Sequence, residues 1–273
     1  MSLLAILLDL PAFLVGVFFL YWSVPLAVIT RRVKAFKLTG LRNDAYGWAA
    51  GIKDSFGVNM LRMAGPDLYR DGTCVYLSNH RSWADFFLDV IATEGRAQML
   101  SRMAVFFVFP MFMIPVRVVR GVILFKRGTI RDKEKFNIMV DASMHDSPMN
   151  GLIVYPEGHR STRRASLPLK RGMLHYVFSR KHLVQIVMSS NKEAIISEKT
   201  LSAHFRQTVV VGYSEVIRSS DFGTFEEFVA AVQKAWDAEW ARVYAADWNA
   251  PMTSFPENID DQPDIFTLTM LSE

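Results

Sequence analysis

Short runs of apolar residues alternate along this chain with segments of helical spacing, and polar residues directly follow several of the runs. Continuously apolar runs of this kind are typical of strands covered on both faces of a parallel sheet. The helical segments between them are typical of crossover connections. The pattern predicts an α/β fold with a mixed, largely parallel sheet flanked by helices. The predicted strands are residues 75–77, 121–125, 152–155, 183–188 and 208–211.

A chain of 273 residues is long enough for one domain with appendages. We expect a membrane anchor and its basic flank in residues 1–40, the main domain in 41–246 and an acidic, loosely ordered tail in 247–273. The tail contains no lysine or arginine, which argues against a packed unit there. The single cysteine, Cys74, lies in an apolar run, so we expect a buried thiol and no disulfide framework.

Residues 1–30 are almost entirely apolar, interrupted by Asp9, Pro11 and Pro25. Residues 10–30 approach the ~20 residues that span a bilayer. Two arrangements fit: a spanning membrane helix, or a helical hairpin that is bent within one leaflet. A core helix of a soluble domain fits less well because no face of the segment is polar. Basic residues follow at once, and the positive-inside bias places the main domain on the cytoplasmic side. These residues are Arg31, Arg32, Lys34 and Lys37.

The first predicted strand ends in a polar turn that contains His80, and Asp85 follows five residues later. On a continuous helix the two side chains would lie about 140° apart, at about 100° per residue. They can meet only if His80 precedes a helix and Asp85 lies in its first turn. A histidine paired with a buried carboxylate suits general-base catalysis. The same pair also occurs as a hydrogen-bonded structural contact, so its role depends on its neighbours.

Polar residues also follow two further predicted strands. Arg127 comes after residues 121–125, and the turn Glu157-Gly158-His159-Arg160 comes after 152–155. Ligands in open α/β sheets gather at the carboxyl ends of strands. Guanidinium groups suit phosphate, and a glycine lets the backbone approach a ligand closely. For Arg163 and Arg164, solvent or anionic lipid headgroups are the favoured surroundings.

A second apolar block, residues 103–116, is interrupted by two prolines and is short for a membrane span. A core helix with a turn explains most of it. Its large side chains also suit a groove for an alkyl chain, or a membrane surface. These are Phe106, Phe107, Phe109, Met111 and Phe112.

Three blocks of this chain and a run that follows the third, taken in order, resemble those of the glycerophospholipid (lysophospholipid) acyltransferases, which include the 1-acylglycerol-3-phosphate acyltransferases. NHRSWAD is similar to the family's NHxSxxD block, and GVILFKR to its second block. YPEGHRS is similar to PEGTRS, and LPLKRG to PFKKG. The resemblance covers about residues 68–216. Two positions differ: His159 replaces the family threonine, and Gln185 lies where the fourth family block carries a proline.

This resemblance implies a membrane-facing α/β fold, similar to that of the glycerol-phosphate acyltransferases, and transfer of an acyl group from acyl-CoA to a lysophospholipid hydroxyl. His80 with Asp85 would form the catalytic pair, while Arg127, Glu157, Gly158 and Arg160 would bind the acceptor. The favoured acceptor is 1-acyl-sn-glycerol 3-phosphate, with another lysophospholipid or glycerol 3-phosphate as alternatives. No metal and no cofactor beyond the co-substrate acyl-CoA are implied. The implied compartment is the endoplasmic reticulum in a eukaryote or the inner membrane in a bacterium.

Other function classes fit the sequence less well. A metal-dependent hydrolase is disfavoured because the six histidines show no ligand spacing such as HExxH. A non-catalytic membrane protein could bind anionic lipid through its basic segments, but the His80–Asp85 pair argues against it. Nucleic-acid binding is the weakest alternative because the basic stretches lack interleaved aromatic residues. Membrane lipid and the two substrates are the expected partners. The sequence does not identify any protein partner.

Overall fold

The computed structural model describes residues 3–33, 43–118, 120–126, 132–149, 151–244 and 251–255. Helices and strands alternate through most of the main domain. The helices are α1 Leu3–Tyr21, α2 Ser23–Ile29, α3 Asp44–Phe56, α4 Asp85–Ala92, α5 Met103–Val108, α6 Pro110–Val118, α7 Lys133–Asp146, α8 Arg171–Ser179, α9 Lys192–Ile195 and α10 Phe225–Tyr244. The strands are β1 Asn59–Met63, β2 Cys74–Ser78, β3 Ala97–Arg102, β4 Val122–Phe125, β5 Gly151–Val154, β6 Leu183–Ser189, β7 Ile196–Ser197, β8 Ser202–Ala203, β9 Thr208–Tyr213, β10 Ile217–Arg218 and β11 Met252–Ser254.

One sheet organises the molecule, with the strand order β11-β1-β9-β6-β2-β5-β3-β4 and β10 paired to β6. The strands β6, β2, β5, β3 and β4 run parallel to one another. Strand β9 runs antiparallel to β6, and β1 runs parallel to β9. The predicted mixed, largely parallel sheet is therefore confirmed. All five parallel strands end at the same edge, which we call the carboxyl edge; their opposite ends form the amino edge.

The central strand β2 shows why the sheet must be covered on both faces. All five of its residues are buried, and successive side chains point to opposite faces. Cys74 and Tyr76 join a core with α1, α3, α4 and α6, whereas Val75 and Leu77 join a core with α7, α8 and α10. The predicted buried thiol of Cys74 is confirmed.

Two long helices, α7 and α10, begin with side-chain caps. The N-terminus of α10 is a capping box, in which Glu227 N donates to Thr224 Oγ1 and Thr224 N donates to Glu227 Oε2. Helix α7 begins after Asp132, whose carboxylate accepts from the next backbone amides, Glu134 N and Lys135 N. Thr129, which with Asp132 forms the T-x-x-D pattern typical of a capping box, lies outside the described residues.

Two expectations differ from the structure. Strands β1 and β3 were not predicted, and β1 lies in residues 41–63, a stretch of mixed helical spacing between the apolar N-terminal segment and the main domain. The tail was expected to be loosely ordered from residue 247, but Met252–Ser254 forms β11 and pairs antiparallel with β1. Residues 247–250 and 256–273 lie outside the described part of the chain.

The N-terminal apolar segment forms a bent pair of helices. Among the described residues, no single helix is long and apolar enough to cross a membrane. Leu8–Tyr21 and Ser23–Ile29 satisfy that criterion only when taken together, and the pair is bent by 63°.

Candidate active site

His80 and Asp85 meet at the carboxyl edge of the sheet. His80 follows the end of β2, and Asp85 is the first residue of α4. His80 Nδ1 lies 2.7 Å from Asp85 Oδ2, which also accepts from the backbone amides of Arg81 (2.8 Å) and Ser82 (3.1 Å). Because three donors converge on one oxygen, the carboxylate is fixed in orientation. The Nδ1 proton faces Asp85, so Nε2 is left as the basic nitrogen.

The charges around this pair favour a neutral imidazole and an ionised carboxylate. Burial lowers the pKa of His80, and the nearby charges of Arg160 and Lys192 act in the same direction, against Asp85. Burial acts to raise the pKa of Asp85, but the Lys192 ammonium and the hydrogen bond from His80 outweigh it and hold this pKa below its usual range. A neutral histidine beside a carboxylate is the state that a general base requires before proton transfer.

The turn after β5 encloses His80 from the other side. The ring of Tyr155 stacks on the imidazole, with 4.2 Å between the centroids and 18° between the planes. The backbone amide of His80 donates to Glu157 Oε2 (2.7 Å), and its carbonyl accepts from Ser161 N (2.9 Å). The predicted site residues from β2 and β5 are therefore in direct contact.

Glu157 is the least satisfied group in this region. Its side chain is buried, and Oε1 makes no hydrogen bond in the structure. Burial raises the pKa of Glu157 to about 7, against the hydrogen bond from His80 N and the charges of Arg81 and Lys192. A buried carboxyl oxygen without a partner is costly unless a ligand or water satisfies it.

Glu157 faces a cavity of about 430 Å³ that carries a strong positive charge. Arg160 lies on its wall, with its Nε 3.0 Å from Glu198 Oε1. Gly158 has a φ of +73°, and an added Cβ there would lie 3.1 Å from Lys170 Cγ. Its carbonyl accepts a hydrogen bond from Arg102 at 3.1 Å. The lining residues are Glu157, His159, Arg160, Ser161, Thr162, Arg163, Leu167, Pro168, Lys170 and Lys199.

Arg127, the remaining predicted site residue, lies outside the described residues. The strand that precedes it, β4, ends at the same carboxyl edge, two strands beyond β5 in the sheet.

Arg81 is a buried residue that connects several elements of the site, and it was not identified from the sequence. It is almost fully buried, is paired with Glu193 and donates to Arg163 O at 2.6 Å. Its guanidinium also lies 5.4 Å from the ring centroids of both Trp240 and Tyr244 on α10. Arg81 thereby joins the His80 turn to the cavity wall and to the last long helix.

Two further buried charges, Asp89 and Lys192, lie behind the His80–Asp85 pair and were also missed. Lys192 Nζ lies 2.9 and 3.0 Å from the carboxylate oxygens of Asp89 and 3.2 Å from Asp85 Oδ1. Asp89 follows Asp85 by one helical turn in an otherwise apolar helix, and Lys192 follows the end of β6. A carboxylate buried within an apolar helix requires a charged or hydrogen-bonding partner. A search for basic residues after each predicted strand would have identified Lys192 as a candidate partner for Asp89.

The apolar block contributes both to the core and to the surface. Phe109 and Phe112 are buried and pack around Trp83 and Phe86. Phe107 is 76% exposed. Within the described residues, no group of three histidine, cysteine or acidic side chains is arranged to hold a metal ion.

Comparisons with known proteins agree on one class. Residues 61–189 match the family model described as acyltransferase. The fold is similar to the crystal structure of the 1-acyl-sn-glycerophosphate (LPA) acyltransferase PlsC from Thermotoga maritima, with a TM-score of 0.63 and 13% sequence identity, over 89% of this chain and 98% of that chain. A search of curated proteins finds no significant match. The match over residues 61–189 and the similar fold support the resemblance to the acyltransferases.

Proposed function

We propose that this protein transfers an acyl group from acyl-CoA to the free hydroxyl of 1-acyl-sn-glycerol 3-phosphate and thereby forms phosphatidic acid. The observation that supports this most directly is the position of the His80–Asp85 pair beside a basic cavity. A general base next to a phosphate-sized cluster of cations suits an acceptor that carries a hydroxyl and a phosphate on the same glycerol.

The reaction begins with proton transfer. His80 Nε2 takes the proton of the acceptor hydroxyl while Asp85 stabilises the imidazolium that forms. The hydroxyl oxygen attacks the thioester carbonyl carbon, and the carbon–sulfur bond breaks as the tetrahedral intermediate collapses. The imidazolium returns the proton to the departing thiolate, so that coenzyme A leaves as a thiol. No covalent acyl-enzyme is required, because the buried Cys74 lies within β2, upstream of the turn that contains His80.

Arg160 and the other cations of the cavity would hold the acceptor phosphate, and Arg127 is proposed to add a further contact. Glu157 Oε1 would accept a hydrogen bond from the glycerol portion, which would satisfy its unpaired oxygen. Gly158 allows the left-handed turn that places Glu157 and Arg160 on the same cavity wall.

The acyl chains are assigned to the apolar surface beside the site. The apolar cavity lined by α3, α4, α6 and residues of β3 and β4 has a volume of only about 30 Å³, which is room for one or two water molecules at the roughly 10–15 Å³ that each requires. An alkyl chain does not fit there. The exposed apolar side chains of α5 and α6 offer more room, and Phe107 and Val118 are 76% and 65% exposed.

We also propose attachment to a membrane through this surface, with the main domain on the cytoplasmic side because basic residues directly follow the N-terminal apolar segment. Helix α2 packs against α6, so the N-terminal pair and the α5–α6 pair lie on one side of the molecule. A contiguous patch of exposed apolar side chains is typical of a surface that contacts a protein or a membrane. The exposed residues are Leu8, Leu14, Val15, Phe18, Trp22, Val28, Ile29, Met103, Phe107, Val108, Ile114 and Val118.

Purified protein assayed with a panel of acyl-CoAs, lysophospholipids and glycerol 3-phosphate, with products identified by mass, tests the reaction. We expect phosphatidic acid from 1-acyl-sn-glycerol 3-phosphate, and a loss of about 10²–10⁴-fold in the His80→Ala variant. His145→Ala is the matched control, because His145 is exposed on α7. Turnover only with another acceptor would replace the proposed acceptor. Lipid binding without turnover in the wild type would overturn the enzymatic function.

Liposome flotation tests the membrane surface separately. Phe107→Glu is expected to reduce binding strongly, because it places a charge in the apolar patch. Ile138→Glu is the control, since Ile138 is 55% exposed on α7, which packs on the opposite face of the sheet. Equal binding by both variants would contradict this assignment.

A further inference from the structure

A lysine without solvent exposure lies directly behind the candidate base. Lys192 is the first residue of α9 and has 0% exposure. Fully buried lysines are rare, because removing an ammonium from water is costly unless its charge is paired. In this structure the charge is paired twice, with Asp85 and with Asp89.

The contacts of Lys192 hold the site together from three elements. Its Nζ donates to both carboxylate oxygens of Asp89 at 2.9 and 3.0 Å, and to Asn79 O at 2.7 Å. It lies 3.2 Å from Asp85 Oδ1. Its own carbonyl accepts a hydrogen bond from Ser82 Oγ at 3.0 Å. Lys192 therefore contacts residues before, within and after the turn that carries His80.

We propose that Lys192 is a positioning residue for the acyl transfer: its ammonium holds Asp85 Oδ1, so that Oδ2 stays ionised and directed at His80 Nδ1. This inference rests on the proposed function, and it assigns no contact between Lys192 and substrate. Asp85 and Asp89 lie one turn apart on α4, where two like charges repel each other. Lys192 offsets that repulsion and occupies the oxygen of Asp85 that does not face the histidine.

The opposite pKa shifts of Asp89 and Asp85 are consistent with this role. Burial raises the pKa of Asp89 to about 6, although Lys192 opposes it, whereas the pKa of Asp85 is held below its usual range. Tyr155 links the same network back to His80: its hydroxyl donates to Asp89 Oδ2 at 2.9 Å, and its ring stacks on the imidazole.

Removing the ammonium would leave two buried carboxylates side by side, and such a pair retains a proton to higher pH. Activity would then require a higher pH, because Asp85 must be ionised to orient His80. The charged and titratable groups on the surrounding elements all contribute to the pH dependence of this network. These groups are Asp85 and Asp89 on α4, His80 and Arg81 after β2, Tyr155, Glu157 and Arg160 after β5, Lys192 and Glu193 on α9, and Tyr244 on α10.

The experiment compares Lys192→Met with Arg70→Met, using purified protein with acyl-CoA and lysophosphatidic acid. Arg70 pairs with the buried Glu94 at the amino edge, so both variants remove the cation of a buried carboxylate. Thermal unfolding is expected to show a lower Tm for both. For Lys192→Met alone, we expect kcat to fall about 10²-fold with KM little changed, and the ascending limb of the kcat/KM profile to move up by ~1 pH unit.

A double variant separates positioning from stability. Lys192→Met with Asp89→Asn removes one cation and one anion, so the fold should regain much of its Tm. If Lys192 positions Asp85, kcat stays low because Asp85 Oδ1 still lacks its cation, whereas the ascending limb moves back in part because the charge of Asp89 is gone. If activity returns together with Tm, Lys192 only stabilises the fold and the inference is overturned. The double variant also serves if Lys192→Met alone does not fold.

An NMR titration of His80 keeps this inference distinct from the proposed function. The signals of the imidazole report its pKa and its Nδ1 proton without any substrate. A changed titration in Lys192→Met, together with no acyl transfer by the wild type, would support the Lys192–Asp85–His80 coupling but refute the reaction. An unchanged titration and an unchanged pH profile in an active enzyme would refute the coupling alone.

Discussion

Buried carboxylates lie at both edges of the parallel sheet, and their surroundings differ. At the amino edge, Glu94 has both oxygens engaged by Arg70, at 2.8 and 2.5 Å. At the carboxyl edge, Asp85 and Asp89 share the ammonium of Lys192, and Glu157 has an oxygen without a partner. Glu94 is therefore fully paired, whereas the carboxyl edge combines an unsatisfied oxygen with raised pKa values at Asp89 and Glu157, a combination that is more frequent at functional sites.

Asp85→Asn against Glu94→Gln is the strongest test of this contrast. In Asp85→Asn, either orientation of the amide turns its NH₂ towards donors: His80 and two backbone amides, or Lys192. We expect activity to fall about 10³–10⁴-fold, as when a histidine loses its orienting carboxylate. Glu94→Gln should lower the free energy of unfolding and leave kcat/KM near wild type. Steady-state kinetics with chemical denaturation checks both; equal losses of activity would remove the distinction between the edges.

Glu157→Gln should change stability in the direction opposite to Glu94→Gln. The carboxyl of Glu157 ionises near 4.5 in the unfolded chain but at about 7 in the folded one. Between these values the unfolded state binds fewer protons, so folding stability falls as the pH rises. Glu157→Gln removes this penalty and is expected to raise the free energy of unfolding at pH 8 by up to about 3 kcal/mol. Denaturation at pH 5 and pH 8 measures it; a gain that is larger at pH 5 would contradict the assignment.

Arg160→Met against Arg96→Met compares one arginine from each edge. Arg160 lines the basic cavity, and Arg96 lies 3.7 Å from Glu94. We expect Arg160→Met to raise KM for lysophosphatidic acid by about 10–100-fold with a smaller change in kcat, because a charge-assisted contact with phosphate is lost. Arg96→Met should leave KM unchanged. A KM effect in both variants would indicate altered folding instead of lost recognition.

Gly158→Ala against Gly95→Ala should give the smallest effects. Both glycines have positive φ, at +73° and +71°, so alanine is strained at either position by ~1 kcal/mol or more. An alanine Cβ at position 95 would lie 2.5 Å from Asn43 Oδ1, so we expect mainly a loss of stability there. Gly158→Ala should lower kcat/KM several-fold by shifting the turn that carries Glu157 and Arg160. Assays and melting curves in parallel distinguish these outcomes, and an inactive Gly95→Ala protein that melts like the wild type would contradict them.

The sequence was sufficient to predict the parallel strands whose residues are continuously apolar. Strand β3, with Gln98 and Ser101, was missed because its polar atoms are satisfied inside the fold: Gln98 Nε2 donates to Ser143 O and its Oε1 accepts from Ser143 Oγ. Strand β1 was missed because it follows α3 closely, and its pairing with β9 spans nearly 150 residues of sequence. Local patterns do not report partners at that distance.

The candidate site was predictable where a motif concentrates its residues in one turn. His80 with Asp85, and Glu157 with Arg160, are each close in sequence and in space. Lys192, Asp89 and Arg81 make their contacts only when β2, β5 and β6 lie side by side, so a local pattern could single out Asp89 and Lys192 as candidates but could not show that they are in contact. The cation–π contacts of Arg81 with α10 depend on residues about 160 positions away.

That contact with α10 has a consequence for biosynthesis. Tyr244 OH accepts from Asn79 Nδ2 at 3.0 Å, and Trp240 Nε1 donates to Arg164 O at 3.0 Å. A nascent chain that has completed residues 61–189 contains the whole region matched by the family model, but its His80 turn still lacks these contacts with α10. Helix α10 must therefore be synthesised before the His80 turn can make all of its contacts. Premature termination before residue 225 would therefore yield a protein that contains every motif but lacks the contacts between α10 and the His80 turn.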